Sequence, residues 1–167
     1  MRGTLKVLLL AALPMSGAQA LFAQEEGIGV GAPAPAVVVH DLDGKSVNLG
    51  QFIGRKPLFL EFWATWCESC EALLPRVRAA QADYGDKVEF IGVNITVNQT
   101  PEQVRRYIEK HKPPFRTLYD DEGASTRAFQ VPATSYVVIV DRSGKIAYTG
   151  SGGTQKFDDA LRRITRN

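Results

Sequence analysis

The chain has 167 residues, with 20 Lys or Arg against 18 Asp or Glu and 44% hydrophobic residues. That length fits one domain with enough apolar side chains for a core, and the near-balanced charge removes the electrostatic case for a nucleic-acid partner or an anionic lipid surface. Its two cysteines, Cys67 and Cys70, are too few and too close together to staple an exported domain, so they suggest chemistry rather than scaffolding.

Arg2 and Lys6 precede an apolar run over residues 7–13, and small residues follow up to Ala20. That order reads as a secretory signal over residues 1–23, cleaved near Ala20 or Ala23. The run falls far short of the roughly 20 residues that span a bilayer, and Pro14 ends it. No stable membrane insertion is expected after cleavage; an uncleaved anchor is the alternative. Either way the domain is exported, to a periplasm or an equivalent compartment. Loss of Arg2 and Lys6 takes the formal net charge from +2 to 0. Residues 24–35 are rich in Gly, Pro and Glu and read as a flexible leader to a domain over residues 36–167.

Residues 36–40 are a strand candidate, and the Asp43-Gly44 turn leads to residues 46–49, which together predict a small hairpin. Residues 57–64, PLFLEFWA, form a short and almost wholly apolar run, the pattern of a strand buried on both faces. From Cys67 on, Leu73, Leu74, Val77 and Ala80 recur at helical spacing, with Pro75 expected to kink the helix. Residues 87–95 are the next buried strand. Thr100, Pro101 and Gln103 then supply an N-cap, a first-turn proline and a capping-box partner. Pro113 and Pro114 stop that helix, residues 115–119 are extended and residues 123–129 form a short helix. Residues 136–140 are a central strand whose turn at Asp141 leads into a second hairpin, and Phe157, Leu161 and Ile164 mark a closing amphipathic helix. Strands alternating with helices predict an α/β fold: a mixed central sheet flanked by helices, with an N-terminal hairpin.

The chemistry centres on Cys67-Glu68-Ser69-Cys70 at the strand-to-helix junction. A thiol at a helix N-terminus meets unpaired N–H groups and the positive end of the dipole, which lower its pKa from about 8.5 into a range of roughly 3.5–7.5. Cys67 is therefore the predicted nucleophile, and Cys70, one turn into the helix, the resolving thiol that displaces a mixed disulfide. Glu61 is an acid inside an otherwise apolar run. Buried without a cation, its pKa rises, and beneath the thiols it takes the proton of Cys70 and returns it in the reverse step. The plainer alternative pairs Glu61 with Arg55 or Lys56.

FWATWCESC resembles the active site of the thioredoxin superfamily, and residues 33–166 resemble its exported TlpA/ResA-type branch, which includes the reductases of cytochrome c maturation. The resemblance extends to DLDGKSVNL, to Pro75, and to Val131-Pro132-Ala133-Thr134 ahead of YVVIVDRSGKI. It implies a thioredoxin-like fold and thiol–disulfide exchange with protein substrates, most simply as a reductase. It gives Glu61 the place of the buried acid and Pro132 that of a cis-proline beside the disulfide. It makes Val131 a backbone partner for an extended substrate strand and Trp66 an exposed contact. Three departures stand out: Ser69 where many relatives have Pro, Glu68 beside the nucleophile, and Leu73 where some cytochrome-maturation members have Glu.

A metal site is not expected, because one cysteine pair with only His40 and His111 lacks the usual ligand set for zinc, and copper-handling relatives have a late histidine that is missing after His111. A copper chaperone and a non-catalytic binding module of the same fold are the alternatives. Asn94, Asn98 and Gln99 read as residues that satisfy loop backbone, and Asp120, Asp121 and Glu122 as a solvated turn. With no cofactor motif, and none expected, the electrons have to come from a partner, a membrane-embedded thiol donor.

Overall fold

The computed structural model describes residues 27–166; the predicted signal sequence lies outside them. Its elements run β1 (Val38–His40), β2 (Ser46–Asn48), β3 (Leu58–Trp63), α1 (Glu68–Tyr84), β4 (Glu89–Ile95), α2 (Pro101–His111) and β5 (Arg116–Asp120). There follow α3 (Ala124–Ala128), β6 (Tyr136–Val140), β7 (Ile146–Ser151) and α4 (Asp158–Ile164), with a 3-10 turn, Leu49–Phe52, after β2.

The strands form one mixed sheet in the order β2-β1-β5-β4-β3-β6-β7. β3 lies inside it, parallel to β4 and antiparallel to β6, and all six of its residues are buried. Side chains alternate across a strand. Leu58, Leu60 and Phe62 therefore enter one core layer with Val93, Leu118 and Val138, which Phe129 and the 3-10 turn help to cover. Phe59 enters the other, against Leu73 and Val77 of α1 and Leu161 of α4. Helices thus cover both faces, as expected. α1 buries Cys70, Leu73, Val77 and Ala80, the helical stripe read from the sequence, and carries Pro75 within it. The capping box at α2 is also present: Thr100 and Gln103 bond each other's backbone N–H.

The flexible leader is corrected for residues 27–35. Gly31 and Ala34 donate to the carbonyls of Ile146 and Gly144 at 2.8 Å, and Ile146 donates back to Ala32 at 2.9 Å. The segment therefore runs along the free edge of β7, where Ile28 is buried. Gly27, at φ +96°, lies so close to Tyr136 that a Cβ there would sit 2.0 Å from the phenol oxygen. Composition read as flexible because Gly and Pro dominate, yet backbone pairing with an open strand edge needs few apolar side chains.

Two polar assignments also change. Asp120 is buried at the end of β5, where its carboxylate accepts from Ser125 N, Thr126 N and Thr126 Oγ1 at 3.1, 2.8 and 2.7 Å. It organises the entry to α3 rather than a solvated turn. Asn94 lies within β4, fully buried, rather than in a loop.

Candidate active site

Cys67 is the N-cap of α1, with extended backbone at φ −90° and ψ 99°. It is joined to Cys70 in a disulfide whose Cα atoms are 5.2 Å apart. Cys67 Sγ accepts from the Cys70 N–H at 3.1 Å and lies 3.4 Å from the Ser69 hydroxyl oxygen. A sulfur placed here collects a helix N-terminal donor, the arrangement that favours a thiolate once the bond is reduced. Both cysteines are 4% exposed. Glu68 and Glu71 in the first turn of α1 add negative charge on either side of Cys70.

Glu61 stands on β3 between Phe59 and Trp63, on the same face by alternation, opposite Gly92 of β4 and Val137 of β6. Phe59 packs against α1, and Trp63 clusters with Cys67 and Cys70, so Glu61 lies on the sheet face that carries both clusters. It is 2% exposed, and its Oε2 has no hydrogen-bond partner. Burial alone pushes its pKa up to about 8. Neither Arg55 nor Lys56 forms an ion pair with it; Lys56 instead donates to the Asp86 carbonyl at 3.0 Å. Burial, and then the charges of Glu71 and Glu61, raise the pKa of the nearby Tyr107 phenol.

The loop carrying the cysteines is held from the side by the β4–α2 loop. Thr65 N donates to Gln99 Oε1 at 3.0 Å and Trp66 Nε1 donates to the Val97 carbonyl at 2.7 Å, while Gln99 Nε2 reaches back to the Ile95 carbonyl. Gln99 thus does satisfy loop backbone, that of the active-site loop, and the end of β4 as well. Trp66 is 50% exposed beside Cys67, and Val97, to which the sequence reading gave no role, is 56% exposed next to it. Nothing local marks Val97; only the fold brings it to Trp66. Trp63 is buried against Tyr107 and Phe115, at ring separations of 5.1 and 6.0 Å.

The expected cis bond at Pro132 is corrected: among the described residues no peptide bond is cis. Trans is the intrinsic preference of an X–Pro bond by about 0.5–1 kcal/mol, and the chain turns here through positive φ at Gln130 and Ser135 instead. Pro132 is exposed and Val131 half-buried. The Val131 N–H donates to the Thr126 carbonyl at 2.9 Å. His40 bonds Asp121 at 2.7 Å, and His111 stacks on Tyr107 at 4.1 Å; among the described residues no three His, Cys, Asp or Glu side chains gather as a metal-ligand group.

The sequence profile of the family described as Redoxin matches residues 29–164. The Bacillus cereus protein named thiol-disulfide oxidoreductase ResA is 30% identical over 150 residues, covering 88% of this chain and 85% of that one. The Bacillus subtilis thioredoxin-like protein YneN is 32% identical over 124 residues, covering 74% of this chain and 72% of its own length. Among solved structures, the thioredoxin domain of thiol-disulfide oxidoreductase BVU-2223 from Bacteroides vulgatus superposes with a TM-score of 0.65 at 23% identity, over 82% of this chain and 96% of that one. A secreted Mycobacterium tuberculosis disulfide oxidoreductase homologous to E. coli DsbE gives 0.64 at 22%, over 77% and 94%. The fold is therefore thioredoxin-like.

Proposed function

This chain belongs to the redoxin family, and from that premise we propose that it is a thiol–disulfide oxidoreductase exchanging electrons with protein thiols through Cys67 and Cys70. The observation that carries the reading is the disulfide closed across the N-cap of α1 with the helix N–H of Cys70 on the sulfur of Cys67.

The cycle follows from the chemistry of that arrangement. A donor thiolate attacks Cys67, the Cys67–Cys70 bond breaks, and Cys70 leaves as a thiolate. Glu61, neutral at pH 7 because burial holds its pKa near about 8, supplies the proton that Cys70 takes up. A second donor thiol releases Cys67, whose thiolate is stabilised by the helix terminus. In the working half-cycle Cys67 attacks a substrate disulfide and expels one substrate thiolate. Cys70 then gives its proton back to Glu61 and attacks Cys67, which releases the second substrate thiol and restores the disulfide. Two electrons pass from donor to substrate, and the proton of Cys70 never has to cross the apolar core.

Trp66, Pro132 and the backbone of Val131 are the surfaces assigned to the substrate strand. Trp66 is supported by its exposure and its place one residue before Cys67; Val131 and Pro132 are assigned by the resemblance, with Pro132 exposed. The N-terminal signal pattern supports work outside the cytoplasm, where a membrane thiol carrier would re-reduce the pair.

The test is the reduction potential of the pair, read in dithiothreitol and glutathione buffers. A reversible two-electron transition near the thioredoxin value of about −270 mV is expected for a reductase. A value toward about −120 mV would make the protein an oxidant instead, and no transition at all would defeat the assignment.

A further inference from the structure

α1 and α2 leave a groove of about 360 Å³ between them, with Thr65 and Glu71 on one side and Arg106, Tyr107, Lys110 and His111 on the other. Its position ties it to the redox pair. Thr65 lies two residues before Cys67, Glu71 directly follows Cys70, and Tyr107 packs against the cluster that contains both sulfurs. A protein chain whose disulfide has reached Cys67 therefore lays its neighbouring residues within reach of the groove.

The charge is arranged unevenly. Elsewhere the arginines that point at acids close on them: Arg76 on Asp158 at 2.9 Å, Arg105 on Asp43 at 2.8 Å and Arg162 on Asp159 at 2.6 Å. The side chains of Arg106 and Lys110 close on no acid and make no hydrogen bond among the described residues; Glu102, a turn earlier, feels the charge of Arg106 without reaching it. Spaced four apart on α2, the two cations share one helix face. The wall they stand on is held in place, because the rings of Tyr107 and His111 stack within 8° of parallel and Arg78 of α1 donates to the His111 carbonyl. Glu71, on the opposite wall, is the groove's single acid.

We propose that this groove receives an acidic side chain of the protein substrate, carried close to its target disulfide, and so gives the enzyme a preference among substrates that the redox pair alone cannot supply. The proposal rests on the reading that Cys67 and Cys70 exchange disulfides with proteins.

The experiment compares two peptide disulfides that differ only in carrying Glu or Lys at the positions flanking the cysteine. Both are reduced by the dithiol form of the protein at low salt. Two exposed cations predict a preference of about fivefold in kcat/KM for the Glu peptide, fading as salt is raised. The double substitution Arg106→Glu, Lys110→Glu should invert the preference, and Arg106→Gln, Lys110→Gln should abolish it. Equal rates for the two peptides with the parent, or a Glu preference that survives either double substitution, would overturn the proposal. Hydroxyethyl disulfide, which is uncharged, separates the two levels of inference. Its reduction by the parent shows that exchange itself holds whatever the peptides do, and failure to reduce it would sink the oxidoreductase reading together with the groove.

Discussion

Glu61 is the one acid of β3, buried on the strand that leads to the cysteines. An unfolded chain ionises this carboxyl near its ordinary value of 4.5, whereas the folded protein does so only near about 8. Between those values the unfolded state holds fewer protons, so folding stability falls as pH rises through the window, by on the order of 5 kcal/mol. Below it both states are protonated and the penalty vanishes. Replacing Glu61 with Gln removes the dependence. Urea unfolding at pH 5 and pH 8 should therefore show the substituted protein gaining on the parent at the higher pH; an unchanged difference would mean that the carboxyl is not buried as described. The same substitution tests the proton's route. Decay of a mixed disulfide at Cys67, followed in single turnover, should accelerate in the parent as Glu61 ionises near pH 8. In Glu61→Gln it should run about a hundredfold slower and lose that inflection. Equal rates across this range would leave Glu61 a buried acid without a task. This residue was legible in the sequence for a simple reason: a run as apolar as PLFLEFWA has no solvent face to offer its one acid. Asp120 was not legible, because two more acids follow it and the run reads as solvated. Alternation along β5 puts Asp120 on the side of Leu118, facing inward, and only the sheet register reveals that.

At the scale of elements the periodic segments were read almost to the residue, since a stripe at 3.6 spacing or a continuous apolar run carries its own partner requirement. α2 starts where its cap predicts, and α1 begins one residue after Cys67, where the helical spacing does. The connections were harder. The polar residues of the β4–α2 loop read as satisfying loop backbone, and the backbone they reach is that of the active-site loop, which Gln99 and Val97 fix. The turn at Pro132 was assigned a cis bond by resemblance, whereas the chain uses positive φ on either side of it. Loops answer to contacts that lie far away in sequence, which a local pattern does not encode. The short helix α3 shows how strong such contacts are. It has no side-chain cap at Gly123, and the buried carboxylate of Asp120 bonds two of its backbone N–H groups instead. Asp120→Ala removes three hydrogen bonds to a charged acceptor and should cost about 3 kcal/mol, read as a lower urea midpoint. A loss below half a kcal/mol would show that solvent can take over those donors.

For the whole molecule the surprise lies at its N-terminal edge. The chain beginning at residue 27 extends the sheet's boundary along β7 and places Ile28 in the core beneath Tyr136. A protein starting at residue 36, the boundary that composition suggested, forfeits those bonds and that burial. It should melt at least several degrees below one starting at residue 27 while keeping the same disulfide; equal melting temperatures would return residues 27–35 to the status of a leader. The two indoles that flank the disulfide carry a last consequence. Trp63 is 2% exposed and held among Tyr107 and Phe115, whereas Trp66 is half in solvent and fastened only by its N–H to Val97. The protein therefore contains two optical gauges at different depths. An aqueous quencher such as iodide reaches the outer one, which reports whatever docks beside Cys67. The inner one stays dark to it until the fold itself gives way, so a single emission spectrum can tell an occupied enzyme from an unfolding one.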